Sequence, residues 1–220
     1  ACVGIRPRPP TGVFFCAAKK KRGQSNFPDT GSTFGFPVRT EICSDPFFVL
    51  MRILFVTPEC VPFAKAGGLG DVSAALPAAL RALGLEVHVL IPAYSESMQA
   101  GKERARLSEL GFECVLREDK GFLFLDCPPL YRREGSPYQD PGGADWPDNP
   151  LRFGLLSKVA ARLAGDYDVL HCNDWPTGLA PVYGHGSRTL FTIHNLAFQG
   201  NFEPSWLGRL GVSPVPLSLE

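Results

Sequence analysis

The stretch RILFVTPECVPFAKAGGLGDV, residues 52–72, decides the fold of this chain. It begins with an apolar run at 52–57 that is typical of a strand buried on both faces. A loop with one lysine and three glycines follows, and apolar residues then recur at helical spacing until Gly84, which predicts a C-terminal cap. Another apolar run at 86–92 predicts the next strand, so residues 52–92 are expected to form one βαβ unit.

The predicted helix of this unit is amphipathic. Residues three or four positions apart lie on one face of a helix. The apolar positions with this spacing are Val72, Ala75, Leu76, Ala79, Leu80 and Leu83. We expect Pro77 either to bend the helix or to lie near its first turn, because proline removes one helical hydrogen bond.

Strand and helix patterns continue to alternate along the chain. Residues 113–118 and 122–126 predict a hairpin with its turn at Lys120-Gly121, and residues 128–150 predict a long loop. The later patterns predict a helix from Leu151, a strand at 168–173, a helix at 177–183 and a strand at 188–194. Such alternation is typical of an α/β fold, a doubly wound and mostly parallel sheet with helices on both faces.

The composition excludes several classes of protein. The formal net charge is zero, so nothing in the overall charge points to a nucleic-acid partner. Because no stretch approaches the roughly 20 apolar residues of a spanning helix, we expect a soluble body with no membrane partner. The seven cysteines are odd in number and lack C-x-x-C spacing, which predicts free buried thiols rather than disulfides or a zinc site.

Residues 1–50 differ from the rest of the chain. They contain seven Lys or Arg and three Asp or Glu, are rich in Pro, Gly, Ser and Thr, and show no sustained period. We expect a disordered extension with a short strand at 47–50, followed by one domain at 51–220. The basic composition also fits an organelle transit peptide, and translated upstream sequence before Met51 is a third interpretation. The run KKKR at 19–22 is either a solvated tail or a nuclear or nucleic-acid patch.

In a doubly wound fold, ligands lie at the carboxyl ends of the strands. After the first strand, the amides of Gly67 and Gly68 are expected to point outward, because glycine tolerates positive φ and close approach. With Lys65 and a helix N-terminus beside them, these amides predict a phosphate or pyrophosphate site. The alternative is a turn that merely requires glycine. The role of Asp71 has two interpretations in the same way, since an acid in the first turn of a helix is ordinary capping chemistry.

Polar residues also follow two later strands. Asp174 and Trp175 place a carboxylate beside an aromatic face, which is a common way to hold a sugar, although Asp174 is equally suited to cap the next helix. His194, followed by Asn195, ends the last predicted strand at the same edge of the sheet, so it is a candidate functional histidine as well as a structural one. The histidines without such placement, expected to be structural, are His88, His171 and His185.

Five segments, in order along the chain, resemble bacterial glycogen synthases and the related starch synthases. The first contains the Lys-x-Gly-Gly-Leu loop that is the hallmark of this family. Together the segments extend over most of residues 51–202, and this makes the set far more specific than any one of them. They are MRILFVTPECVPFAKAGGLGDVSAALPAAL (51–80), LYRREGSPYQD (130–140), DNPLRFGLLSKVA (148–160), DVLHCNDWPTGLAPVY (168–183) and TIHNLAFQGNF (192–202).

The resemblance implies the Rossmann-like amino-terminal half of a GT-B glycosyltransferase, whose two halves close on a nucleotide sugar. It implies transfer of glucose from ADP-glucose to the non-reducing end of an α-1,4-glucan, with retention and without a metal or cofactor. The partner that completes the cleft is the carboxyl-terminal half, so the fragment is expected to be inactive alone. The implied location is the bacterial cytoplasm, or a plastid if residues 1–50 are a transit peptide.

The same resemblance implies roles for particular residues. Asp174 and His194 match the glucose pocket and are the catalytic candidates, because hydrogen bonds to the sugar can stabilise an oxocarbenium-like transition state. The resemblance also implies substrate-binding residues. Lys65, Gly67 and Gly68 match the loop at the donor diphosphate. Tyr138 and Asn195 match neighbouring positions of the pocket, and Asp71 is expected to face the acceptor.

Two other functions remain open at this point. Another GT-B glycosyltransferase with a UDP- or GDP-sugar donor is possible, because in this family the residues that recognise the base lie beyond Glu220. A non-catalytic module that binds glucan or nucleotide is the second alternative. Residues 203–220 resemble the variable loop region of the family and do not discriminate among these functions.

Overall fold

The computed structural model describes residues 51–99, 101–184 and 186–213, and gives only the backbone of Ser97 and Gln99. The predictions for residues 1–50, including the strand at 47–50, lie outside the described residues, as does His185. The strands are β1 Arg52–Val56, β2 Glu86–Pro92, β3 Lys102–Glu109, β4 Phe112–Asp119, β5 Phe122–Asp126, β6 Val169–Asn173 and β7 Thr189–Thr192. The α-helices are α1 Leu69–Ala82, α2 Pro128–Tyr131, α3 Asn149–Leu163, α4 Ala180–Tyr183 and α5 Trp206–Leu210.

The strands form one seven-stranded sheet in the order β3-β4-β5-β2-β1-β6-β7. Its five strands from β5 to β7 are parallel, whereas β3 and β4 add an antiparallel edge. The βαβ unit at 52–92 is confirmed by the parallel pairing of β1 with β2. The predicted α/β class and the mostly parallel sheet are therefore both confirmed.

Both faces of the sheet are covered, as the continuous apolar strands predict. Leu54 and Val56 of β1 pack on one face in a cluster with α3, whereas Ile53 and Phe55 pack on the other face with residues of α1. Strand residues alternate between faces, so two helical layers require apolar side chains at successive positions. The protein therefore has helices on both sides of the sheet, as in a doubly wound fold.

Helix α1 buries only part of the face that its apolar spacing indicates, since Leu76 and Leu80 pack against the cluster of Ile53 and Phe55. Val72 and Leu83 are exposed, as are two of the alanines on the predicted stripe. The buried positions are Leu69, Gly70, Ser73 and Pro77. Ser73 can occupy this buried face because its hydroxyl shares a 2.8 Å hydrogen bond with Thr57. Apolar spacing alone therefore identified two of the contacting residues and missed the small and polar ones.

The ends of α1 follow the prediction more closely than its interior. Gly84 has φ +87°, and the amides of Gly84 and Leu85 donate to the carbonyls of Arg81 and Leu80. This is the Schellman arrangement, in which a left-handed glycine terminates the helix. Pro77 lies in the interior of α1, so its predicted alternative place near the first turn is wrong.

The antiparallel edge contains one strand that the sequence pattern did not reveal. The predicted hairpin of β4 and β5 is confirmed, with positive φ at both Lys120 and Gly121. Strand β3, KERARLSE, was missed because only Leu107 among its residues is buried. Ala105 and Leu107 face the core on one side of the strand, but charged residues dominate the rest of it. Such charge is typical of an edge that must not pair with another chain. The helix predicted at 177–183 is also shorter, since only 180–183 is α-helical.

A buried arginine anchors the long loop that the sequence predicts at 128–150. The guanidinium of Arg152, on α3, donates to the carbonyls of Leu130 and Pro137 at 2.8 Å and to Asn149 Oδ1 at 2.6 Å. Burial of this side chain lowers its pKa below the ordinary value for arginine. Because each bond satisfies a group removed from water, the first half of the loop is held against α3.

Other sequence-based predictions concern cysteines and membranes. Cys60, Cys114, Cys127 and Cys172 are free and buried, as predicted, and the remaining three cysteines lie outside the described residues. Within the described ranges, none of the helices has the length and apolar character needed to span a bilayer.

Candidate active site

The strands that carry the predicted site residues end at one level of the sheet. Val56 of β1 lies beside Cys172 of β6, and Asn173 lies beside Thr192 of β7. Strand β1 has β2 on one side and β6 on the other, so the chain changes its direction of winding here. The loops that follow these three strands therefore lie at a topological switch point, where doubly wound folds bind ligands.

An internal carboxylate occupies part of the predicted anion site. Glu59 is 3% exposed, and its Oε2 accepts hydrogen bonds from the amides of Ala66 at 2.6 Å and Gly67 at 2.9 Å. Its Oε1 accepts a 2.6 Å hydrogen bond from the hydroxyl of Tyr138. The loop amides do bind an anion, but in this structure the anion at Ala66 and Gly67 belongs to the protein. Sequence reasoning missed Glu59, because a buried glutamate after a strand has no local signal.

The fold itself requires neither glycine of the loop. Neither Gly67 nor Gly68 has a positive φ, so that part of the prediction is wrong. A Cβ added at either position would meet no atom within 4 Å. Gly68 is the N-cap of α1, so its amide and that of Leu69 have no intrahelical acceptor. These two amides, with open space beside them, are the part of the loop that remains suited to an external anion.

Lys65 is paired within the loop. Its Nζ lies 2.7 and 2.8 Å from the two carboxylate oxygens of Asp71. Both side chains are more than half exposed, so this ion pair is worth roughly 0–1 kcal/mol and can exchange partners readily. Asp71 lies in the first turn of α1, as its alternative interpretation requires, and its carboxylate pairs with Lys65.

Tyr138 connects the long loop to the glycine loop through Glu59. Its backbone carbonyl accepts hydrogen bonds from the amide of Trp146 at 3.0 Å and from Asn149 Nδ2 at 2.8 Å. Burial raises the pKa of the Tyr138 hydroxyl, and the nearby charge of Glu59 raises it further. The hydroxyl therefore stays protonated and acts as a donor to Glu59.

Asp174 has the least common backbone conformation among these residues. Its φ of 55° with ψ of 178° is a combination otherwise nearly confined to glycine, and it costs about 1–3 kcal/mol. Three hydrogen bonds hold it: its amide donates to the carbonyl of Thr192, its carbonyl accepts from the amide of Thr177, and its Oδ1 accepts from the amide of His194 at 2.6 Å. The side chain caps no helix, so the capping interpretation is wrong. Strain of this kind is concentrated at functional sites.

The structure brings His194 and Asp174 together, as the sequence predicts. Besides the bond from its amide to Asp174, His194 places Nε2 3.0 Å from Oδ1 of Asn173. Asn195 uses its Oδ1 to accept from the amide of Ala197 at 2.9 Å, which shapes the turn after the strand. His171, predicted to be structural, is buried in β6 with Nε2 2.9 Å from the Thr192 hydroxyl.

Trp175 packs against other aromatic residues beside this site. Its ring contacts those of Phe153, Tyr138 and Phe202, with centroids 5.0 to 6.1 Å apart, and Gly200 lies against it. An adjoining cavity of about 630 Å³ is lined mainly by apolar side chains, and Asp174 is the predicted site residue that reaches it. These neighbours therefore cover much of the Trp175 ring and leave little free face on which a sugar could stack.

The predicted residues form two linked groups. Lys65 and Asp71 lie in the glycine loop with Gly67, which Glu59 connects to Tyr138, whereas Asp174 and His194 lie after β6 and β7. Asp174 is close enough to Tyr138 for its charge to raise the tyrosine pKa, so the groups share one edge. Among the residues that the structure describes, no three His, Cys, Asp or Glu side chains are arranged to hold a metal ion.

These features define a class of protein: an α/β domain with a phosphate-suited glycine loop and an Asp–His pair at the switch point of its sheet. The family described as the starch synthase catalytic domain matches residues 52–218, and the chain belongs to this family. The resemblance seen in the five sequence segments is thereby confirmed.

Individual relatives agree with the family assignment. The glycogen synthase of Aromatoleum aromaticum is 50% identical over 192 residues, covering 77% of this chain and 39% of that protein. The glycogen synthase of Nitrosospira multiformis is 45% identical over 196 residues, covering 77% and 40%. The catalytic domain of starch synthase IV from Arabidopsis thaliana, solved with ADP and acarbose, superposes with a TM-score of 0.56 at 27% identity, covering 74% and 38%. The chain thus spans about two fifths of the length of these relatives.

Replacement of Tyr138 by Phe tests the link between the two loops. Loss of the hydroxyl leaves a buried oxygen of Glu59 without its donor, which should cost about 1–3 kcal/mol. We expect a lower urea midpoint and faster hydrogen exchange at the amides of Ala66 and Gly67. Tyr183→Phe, on α4, is the matched control, because it removes a hydroxyl bond to the carbonyl of Leu210 on α5. Equal exchange at Ala66 and Gly67 in both variants would contradict the link.

His171 predicts a pH dependence of stability. Burial, and then the charge of neighbouring His194, lower the pKa of His171 from 6.5 to about 4. The unfolded chain therefore binds this proton at higher pH than the folded one, and stability is lost as pH falls from 6.5 towards 4. In urea titrations, the stability advantage of the wild type over His171→Gln should shrink across this window and stay constant above pH 7. A gap that is constant at every pH would show that the folded state does not hold His171 neutral.

Proposed function

We propose that this chain forms the amino-terminal part of a retaining glucosyltransferase, which transfers glucose from ADP-glucose to the non-reducing end of an α-1,4-glucan. The observation that carries the proposal is the strained Asp174, bonded to His194, at the switch-point edge of a starch synthase family domain. Glycogen synthases and a starch synthase are among its relatives. The product is accordingly glycogen or starch.

The donor diphosphate is proposed to lie at the glycine loop. The amides of Gly68 and Leu69 open helix α1, whose N-terminus favours an anion, and the missing side chains at Gly67 and Gly68 leave space for close approach. Lys65 supplies the positive charge after it exchanges Asp71 for the diphosphate, which their exposure makes inexpensive. Asp71 is then free to face the acceptor. This arrangement requires no metal ion within the chain.

The glucose is proposed to lie against Asp174 and His194, with Tyr138 and Asn195 nearby. One oxygen of the Asp174 carboxylate is taken by the amide of His194, which leaves the other for a sugar hydroxyl. Fixed acceptors at the sugar stabilise developing positive charge because they need no reorganisation during the reaction. The remainder of the enzyme, which the longer relatives contain, supplies the opposite wall of the cleft.

The assay is incorporation of radiolabelled glucose from ADP-glucose into glycogen by a complete enzyme that contains this chain. UDP-glucose and GDP-glucose serve as comparison donors. Transfer from ADP-glucose supports the proposal, and preferential transfer from another donor would assign the chain to a different glycosyltransferase. Glucan binding with no transfer from any donor would favour a non-catalytic module.

Replacement of Lys65 by Ala tests the diphosphate site. Loss of a charge-assisted contact is worth about 1.5–3 kcal/mol, so the KM for ADP-glucose should rise roughly 10- to 100-fold. Lys102→Ala, at an exposed lysine of the edge strand β3, is the matched control and should leave KM unchanged. Equal KM values for the two variants would refute the role of Lys65.

Replacement of His194 by Ala tests the sugar pocket. A group that acts mainly in the transition state lowers kcat more than it raises KM, and we expect kcat to fall about 100-fold or more. His88→Gln is the control, because His88 lies within β2 and contacts Glu86 and Glu118. Full turnover by His194→Ala would remove His194 from the reaction.

A further inference from the structure

The buried amide of Asn173 has a defined orientation. The side chain is fully buried at the end of β6, and its Nδ2 donates to the carbonyl of Val56 at 3.0 Å, with a longer contact to the carbonyl of His171 at 3.4 Å. Carbonyl oxygens only accept hydrogen bonds, so the amide nitrogen must face them. The other end of the amide, Oδ1, therefore faces His194.

This orientation determines where His194 carries its proton. Oδ1 of Asn173 has no hydrogen, and it lies 3.0 Å from Nε2 of the ring. Nε2 must therefore be the donor, and a neutral imidazole has only one N–H. Nδ1 is then an unprotonated acceptor, and among the described residues it has no hydrogen-bond partner.

We infer that Asn173 is a positioning residue that fixes His194 in the Nε2–H tautomer and leaves Nδ1 as an acceptor at the switch-point edge. The backbone is fixed as well, because the amide of His194 donates to Asp174 at 2.6 Å. Both side chains at the site, Asp174 and His194, then offer acceptors, which match a ligand that donates hydroxyl hydrogens. Only the match to a hydroxyl-bearing ligand rests on the proposed glucosyl transfer. The assignment of the His194 tautomer does not depend on it.

The neighbouring histidine shows that this arrangement is specific to His194. Nε2 of His171 lies 2.9 Å from the hydroxyl of Thr192, which can donate or accept, so its partner does not choose a tautomer. The Asn173 amide differs, because its nitrogen is already bonded to Val56 and only its oxygen can face His194. The same strand ends thus hold one histidine with a determined tautomer and one without.

The test is a long-range ¹H–¹⁵N correlation spectrum of the labelled chain, recorded without any ligand at a pH where the rings are neutral. The His194 signals are assigned by their absence in His194→Gln. We expect Nε2 at the limiting pyrrole-type shift and Nδ1 at the limiting pyridine-type shift. A pyrrole-type Nδ1, or averaged shifts at both nitrogens, overturns the inference.

Two variants show whether Asn173 is responsible. In Asn173→Ala both nitrogen shifts should move to exchange-averaged values, whereas Thr192→Val should alter the His171 ring and leave His194 at its limiting shifts. Unchanged His194 shifts in a folded Asn173→Ala protein would show that another contact sets the tautomer. If Asn173→Ala does not fold, the wild-type spectrum still decides, because a pyrrole-type Nδ1 or averaged shifts there overturn the inference. Because no donor or transfer is involved, failure of the glucosyltransferase proposal leaves this measurement unaffected.

Discussion

The parallel pairing of β1 with β2 on one side and β6 on the other is the constraint on which the rest of the structure depends. Parallel strands need long connections, and here those connections place helices on both faces of the sheet. The registers bring the ends of β1, β6 and β7 to one level. Loops that are more than 100 residues apart in the chain therefore meet at the same edge.

Buried polar groups hold these loops in place. Glu59 ties the glycine loop to Tyr138, and Arg152 ties the first half of the long loop to α3. A charged group removed from water is tolerated only when its hydrogen bonds are made, so each of these residues specifies one arrangement of its loop. The site is consequently organised before a ligand arrives, which lowers the cost of binding.

The second group of site residues depends on strain and on an oriented amide. Asp174 keeps an unfavourable conformation because Thr192, Thr177 and His194 all bond to it. Asn173, beside it in sequence, orients the His194 ring from within the sheet. Family membership, the glycine loop and this pair together support the proposed glucosyl transfer.

The sequence by itself determined the βαβ unit, the mostly parallel sheet, the glycine cap at Gly84 and the strand ends that carry Asp174 and His194. These follow from local patterns of apolar residues, glycine and polar strand termini, which act over a few neighbouring positions. Tertiary structure alone decided the buried face of α1, the edge strand β3, the anion that Glu59 supplies and the proton position on His194. Each of these depends on a partner distant in sequence, and its energy comes from burial and hydrogen bonds that exist only after the chain has folded.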